Sequence, residues 1–160
     1  MISPAQLTEA FARNANVIRM QTEGLTHEDS LRQPLFRGNC LNWVLGHLAQ
    51  NRDQVLAALG AEPVIGKAGE RYRRESDPIM EDGPDVLRLN ELLEIFDQSQ
   101  AALAKALGQA TEEYLREEIS AGQRTAHRNE RLFFLYFHET YHVGQTELLR
   151  QLAGKDDKVI

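Results

Sequence analysis

The segment from Asn129 to Leu152 does most to decide what this chain can become. It keeps a helical period, with Leu132, Leu135, His138, His142, Gln145, Leu149 and Leu152 on one side, and it ends before Gly154, a helix stop. A face that should be oily is oily at both ends, but its middle is His, His, Gln. Residues at i and i+4 lie one above the other on a helix. His138 and His142 can therefore reach a single metal ion at the roughly 2.0–2.1 Å of a zinc–nitrogen bond.

Three more helical patterns precede it. The first is capped by Ser3, has Pro4 in its first turn, and carries Leu7, Ala10, Phe11, Val17 and Ile18 at helical spacing until about Gln21. Asn14 falls on the same face and reads as a helix-end polar residue or as one on a slightly rotated face. The second starts at about Asn39 or Asn42, runs to Leu59 before Gly60, and shows Val44, Leu48, Val55 and Leu59, with Trp43 as an aromatic anchor. The third is capped by Asp85 and repeats Val86, Leu89, Leu93, Phe96, Leu103 and Leu107 before Gly108. Its one polar gap, Ser99 and Gln100, meets either a hydrated cavity or the surface, since an unsatisfied polar group in a core is costly.

The connections 22–38, 61–84 and 109–128 are long. A connection such as 61–84, with Pro63, Gly66, Gly69, Pro78, Gly83 and Pro84, implies a lid, a binding loop or a crossover between parallel helices. It also holds Arg71, Arg73 and Arg74, read first as a solvated charge run and second as a basic rim for a carboxylate-bearing substrate. His27 and His127 read as exposed loop and helix-terminal residues, and Cys40 as a small buried one. With no strand-period alternation of any length, the expectation is an all-α four-helix bundle occupying residues 1–160 as a single domain.

His47 flanks the apolar stripe of the second helix. Alone it reads more readily as a hydrogen-bonded core or boundary residue than as a ligand. Its depth along the helix resembles that of His138 and His142 along theirs, which permits all three to meet at one level of the core. In bundles, metal sites are built from side chains on facing helices.

Composition narrows the partners. An excess of 24 acidic over 18 basic residues, a net charge of −6, argues against nucleic acid or an anionic membrane as the main partner. One cysteine suits a reducing compartment. The start, Met1-Ile2-Ser3-Pro4-Ala5-Gln6, lacks the basic and apolar regions of a signal peptide, and no apolar run approaches the roughly 20 residues of a membrane span. A cytoplasmic location is expected.

His138-Glu139-Thr140-Tyr141-His142 also fits the zinc-protease expression H-E-x-x-H, with the glutamate as general base. The continuation Val143-Gly144-Gln145-Thr146-Glu147-Leu148 lacks the third histidine of the extended motif, and the chain offers no sheet edge for an extended peptide. Glu139, one step round the helix from His138, faces away from the metal or supports a ligand from behind.

Trp43-Val44-Leu45-Gly46-His47-Leu48-Ala49, followed by His138-Glu139-Thr140-Tyr141-His142-Val143-Gly144-Gln145, resembles the DinB-like superfamily, the family of DNA-damage-inducible and bacillithiol transferase-like proteins. The resemblance covers essentially the whole chain. It implies an up-down-down-up bundle with 61–84 as the crossover, a metal held by His47, His138 and His142, and a homodimer. Val143 stands where the family often has a basic or histidine residue.

Three neutral histidines leave a divalent ion its full charge and an open position, as in catalytic zinc sites. Zinc or nickel is expected, and iron or manganese suits the same ligands. Such an ion activates water for hydrolysis or a thiol as nucleophile. The resemblance implies the second, transfer of a low-molecular-weight thiol onto an electrophile. A small-molecule hydrolase and a non-catalytic metal- or ligand-binding bundle are the alternatives. Asn51 and Gln145, each about a turn from a histidine, are the candidates for hydrogen bonding to substrate or bound water.

Overall fold

The computed structural model describes residues 2–35, 37–122 and 124–159, and over these the chain is mostly helical. Helix α1 spans Pro4–Thr22, and Ser3 caps it as expected: Gln6 N donates to Ser3 Oγ (3.2 Å) and Ser3 N to Gln6 Oε1 (2.9 Å). Helix α2 is one short turn, His27–Ser30, capped by Thr26 and Asp29. Helix α3 spans Leu41–Ala58, and Gly60 follows it in the left-handed region (φ 71°).

A 3₁₀ helix, Gly66–Tyr72, lies in the long crossover. Helix α4 spans Leu89–Gln109 rather than starting at Asp85. Val86 is buried where the crossover meets the core, so it keeps the apolar rhythm without belonging to the helix. The helix is capped instead at Arg88, whose N–H donates to Glu91 Oε2 (2.7 Å).

The chain between α4 and the last helix departs from the all-α expectation. It forms helix α5 (Glu112–Arg116) and an antiparallel hairpin, β1 (Glu118–Ala121) with β2 (Arg124–His127), registered Glu118 to His127 and Ala121 to Arg124. Strands of four residues are too short for alternation to stand out: Glu118-Ile119-Ser120-Ala121 alternates only twice, with Ile119 and Ala121 half-buried, and β2 half-buries only Ala126. Helix α6, Arg128–Leu152, closes the fold, with His127 exposed at its cap.

Four long helices position the site. Helix α1 packs against α4 and α6, and α3 packs against the same two. From α1 to α6, the contacts Phe11–Tyr136, Asn14–Thr140 and Gln21–Arg150 advance together. From α3 to α6, the contacts Ala58–Arg128, Gln54–Arg131, Asn51–Leu135 and His47–His138 run in opposite order. From α3 to α4 they advance together, Asn42 bonding Leu87 and Arg52 bonding Gln100.

Asn14 is thus no helix-end residue. It is buried and donates to Thr140 Oγ1 (3.0 Å). His27 is also buried, against expectation: its Nδ1 accepts the Leu89 N–H (3.2 Å) and its Nε2 lies 3.2 Å from Asp82 Oδ1, tying α2 to the start of α4.

The core is two apolar clusters, one around Leu45, Leu48, Phe96 and Val143, the other around Phe11, Val55, Leu103 and Leu135. Between them, Arg52 of α3 and Glu139 of α6 form an ion pair with neither side chain exposed at all. Arg52 Nε and Nη2 donate to the two carboxylate oxygens (3.0 and 2.9 Å). Nη2 also reaches Phe11 C=O (3.1 Å) and Nη1 reaches Gln100 Oε1 (3.1 Å) and Ser99 Oγ (3.4 Å), while the guanidinium lies 4.1 Å from the Phe96 ring centroid. The polar gap of the third helix therefore consists of a buried Ser99 and a half-buried Gln100. It is the acceptor set for a buried arginine.

Candidate metal centre

The crossover is fastened to α3, and this sets the site. A Cβ on Gly46 would lie 2.1 Å from the Tyr72 ring, so only glycine lets the ring lie against the helix. The Tyr72 hydroxyl accepts from Leu87 N (2.8 Å) and donates to Asn42 Oδ1 (3.2 Å), and burial holds its pKa up at about 12. Asp53 accepts from Val64 N (2.7 Å) and Gly66 N (2.9 Å). Arg71 is spent on the same segment, paired with Asp85 at 3.0 Å and bonded to Asp77 C=O.

Against this support stand His47 of α3 and His138 and His142 of α6. Among the described residues they form a cluster whose ligand atoms all lie within 4.8 Å of one another. His47 is buried and stacks on Trp43 (4.7 Å, 15° between planes), while the other two are partly open. Each ring has its Nδ1 on a carbonyl oxygen: His47 on Tyr72 C=O (2.8 Å), His138 on Asn51 Oδ1 (3.0 Å) and His142 on Gln145 Oε1 (2.8 Å). Asn51 donates its amide N–H to Leu135 C=O (3.2 Å), which turns its oxygen to His138.

An oxygen of this kind only accepts, so each Nδ1 carries the proton and each Nε2 keeps its lone pair. His47 Nε2 and His138 Nε2 are 3.4 Å apart. Tetrahedral ligands at the zinc–nitrogen distance are separated by about 3.3–3.4 Å. The donor set therefore fits a divalent ion, with the carbonyl partners that orient metal-binding histidines.

The local field favours the neutral form of His47 and His138. Burial, foremost, then the neighbouring histidines, Arg131 and Arg74, push His138 down to about 4. Burial also lowers His47, against the raising effect of its bond to Tyr72. Neutral imidazole is the form that ligates.

His47, Asn51 and His138 form one end of a cleft of about 480 Å³, walled by Phe134 and Leu135 and edged by Arg73, Arg74 and Arg131. Two of the three arginines of the crossover thus reach the cleft, and Arg71 does not line it. Asn51 and Gln145, expected to hydrogen-bond substrate or water, bond the imidazoles, and Asn51 also lines the cleft. Glu139 is committed to Arg52 and lies in the core, which removes it as a general base. The centre of the α6 face is Leu135, Glu139, Val143 and Thr146, all buried, with the histidines alongside it rather than in it. Cys40 is buried as expected, and burial pushes its thiol up, away from a nucleophilic thiolate.

Sequence reasoning missed Arg52, Arg131 and the Tyr72 carbonyl. Arg52 had a signal, because it continues the stripe Val44, Leu48, Val55 at four residues from Leu48. A backbone carbonyl from a loop has none.

The DinB family model matches residues 1–158. The chain belongs to the DinB family. Its fold is similar to that of the conserved protein of a locus from Enterococcus faecalis, whose crystal structure superposes with a TM-score of 0.75 at 20% identity over 97% of this chain and 99% of the other. No curated protein matches the sequence. The DinB-family histidines expected from the resemblance are the three that converge here. Among the described residues of this DinB protein, no helix is long and apolar enough to cross a membrane.

Proposed function

We propose that this DinB-family protein is a metal-dependent enzyme that transfers a low-molecular-weight thiol onto an electrophilic small molecule, with zinc or nickel at His47, His138 and His142. The observation that carries the reading is the bonding of the three rings: every Nδ1 is committed to a fixed oxygen, every Nε2 is free, and the cluster opens on a cleft. Structural zinc sites are closed by four protein ligands, whereas catalytic ones keep a position open. When bound, a divalent ion on neutral imidazoles supplies Lewis acidity toward a thiol or water. Iron or manganese suits the same donors.

The remaining work belongs to the chain. Tyr72, Asn51 and Gln145 hold the rings in orientation. Trp43 covers His47, and Phe134 and Leu135 give the cleft an apolar wall beside the histidines. In the reaction the thiol sulfur bonds to the electrophilic carbon, the thiol proton passes to water, and any leaving group departs with its electron pair.

The contact orders among α1, α3, α4 and α6 support an up-down-down-up four-helix bundle. The exposed Phe133, Phe134, Phe137, Tyr141 and Leu148 along α6 support a second copy of the chain as partner. The single cysteine supports a cytoplasmic setting.

Zinc- or nickel-loaded protein, screened against several cellular thiols with a chromogenic electrophile, should consume thiol, and His142→Ala should abolish the consumption. Undiminished turnover by metal-free protein lacking all three histidines would overturn the reading. Product release without thiol consumption would replace it with a hydrolase at the same site.

A further inference from the structure

The cleft beside the histidines is lined by three arginines in a chain whose net charge is −6, and among the described residues no carboxylate lines it. Arg73 and Arg74 come from the crossover and Arg131 from α6. Arg131 Nη2 is aimed by Gln54 Oε1 (2.8 Å), and Gln54 is in turn fixed by its amide N–H on Gln50 Oε1 (3.1 Å). Among the described residues Arg131 has no carboxylate partner, and burial and Arg124 both act against its charge. Arg73 pairs with Glu70, and Arg74 lies 3.7 Å from Glu75, in contacts where all four side chains are more than 60% exposed. Exposed pairs of this kind are weak and readily exchanged.

Three guanidiniums gathered with only two exposed, exchangeable carboxylates among them repel one another. The arrangement is stable to the extent that something negative joins it, and a walled cleft focuses their field on that anion. Arginine presents a planar fork that matches a carboxylate with two parallel hydrogen bonds. Arg131 and His138 are seven residues apart on α6, about 10 Å along the axis. A molecule lying in the cleft therefore has its charged end and its end near the imidazoles separated by no more than about that length. Phe134, half exposed beside Arg131, offers a flat apolar face between the two.

We propose that Arg73, Arg74 and Arg131 form an anion subsite that receives a carboxylate of the small molecule bound in this cleft, holding it with its reactive end toward His47 and His138. The subsite makes the substrate a carboxylate-bearing one. As a statement about substrate, the assignment rests on the enzymatic reading above. As a statement about binding, it does not.

The decisive experiment uses metal-free protein, so that it does not depend on catalysis. Succinate, succinamide and inorganic phosphate are titrated calorimetrically at low salt. Succinate should bind, and its affinity should fall at least tenfold in Arg131→Gln and in the double variant Arg73→Gln/Arg74→Gln. Succinamide should not bind. The double variant changes only exposed side chains, so its result stands even where Arg131→Gln melts early. Equal succinate affinity in wild type and the double variant would overturn the subsite, as would binding of succinamide as tight as that of succinate. Tighter binding of phosphate than of succinate would overturn the carboxylate assignment. In loaded enzyme, the same variants should raise KM for a carboxylate-bearing thiol with kcat held, and leave KM for its amide unchanged. If succinate binding behaves as expected and no thiol turns over, the enzymatic reading fails and the subsite stands.

Discussion

Arg52 and His47 stand on one helix five residues apart, and Glu139 and His138 are neighbours on another, yet the two polar groups they form are built in opposite ways. In the ion pair every Arg52 nitrogen donates, both carboxylate oxygens accept, and neither side chain touches solvent. In the histidine cluster one nitrogen of each ring is satisfied and the other is held open, facing its counterparts beside a cleft. A polar group that closes on itself inside a core is architecture. One that is oriented and left incomplete is poised to bind.

The sharpest way to break this contrast is to open the closed pair. Glu139→Ala strands a buried guanidinium and should cost about 3–5 kcal/mol of stability, read from chemical denaturation. Replacing both partners with apolar residues of similar size, Arg52→Met with Glu139→Leu, should recover most of that loss. A double variant as unstable as the single one would show that the two side chains do not act as a unit. His138→Ala, by contrast, should leave the metal-free protein within about 1 kcal/mol of wild type, as it removes a partly open ring.

A smaller effect tests the support of the open cluster. Gly46→Ala drives a methyl into the Tyr72 ring, and should cost about 1–3 kcal/mol. It should also weaken metal binding, since displacing Tyr72 frees the His47 Nδ1. Unchanged metal affinity in a folded Gly46→Ala protein would show that the carbonyl does not orient His47.

Asn51→Ala and Gln145→Ala each remove one acceptor from one ring. Metal affinity should drop about 10–100-fold in each, with secondary structure unchanged by circular dichroism. Variants that bind metal as wild type does would return these residues to a role toward substrate.

The smallest effect is in pH. His138 is held near 4 in the folded chain, whereas a histidine in an unfolded chain titrates near about 6.5. As pH falls through that window the unfolded state takes up the proton first, so the neutral ring's contribution is present above about 6.5 and lost toward 4. His47, also lowered, acts in the same direction. Metal-free wild type should lose more stability between pH 7 and pH 5 than His138→Gln does, measured by thermal denaturation in chelator. An equal loss in both would contradict a neutral, desolvated His138.

The same contrast explains what could be read from the sequence. The long helices and the histidine pair were legible because burial and ligation both impose a period of about 3.6 residues, and because Ser3, Gly60 and Gly154 mark ends. The meeting of His47 and His138 was less legible, because α3 and α6 run in opposite directions: the levels match since His138 lies ten residues from the start of α6 and His47 eleven from the end of α3. The ion pair escaped because its parts looked harmless separately: a polar gap at Ser99 and Gln100, an arginine in an apolar stripe, a glutamate in a protease-like motif. Only the packing of α3 against α4 and α6 joins them. The α6 face was read one position off for the same reason, since a buried Glu139 counts as polar in any periodicity. His27 was misjudged because its burial comes from Asp82 and Leu89, more than fifty residues away. The hairpin half-buries only Ile119, Ala121 and Ala126, in strands too short for their alternation to be distinguished from chance.

Metal binding tests the central claim most directly. Protein prepared without a histidine tag, stripped with chelator and reconstituted with zinc or nickel, should take up one ion per chain, with a coordination shell by X-ray absorption that contains three imidazole nitrogens. Uptake should vanish when His47, His138 and His142 are all changed to alanine. Failure to retain any of several divalent ions, or full retention by the triple variant, would contradict the account.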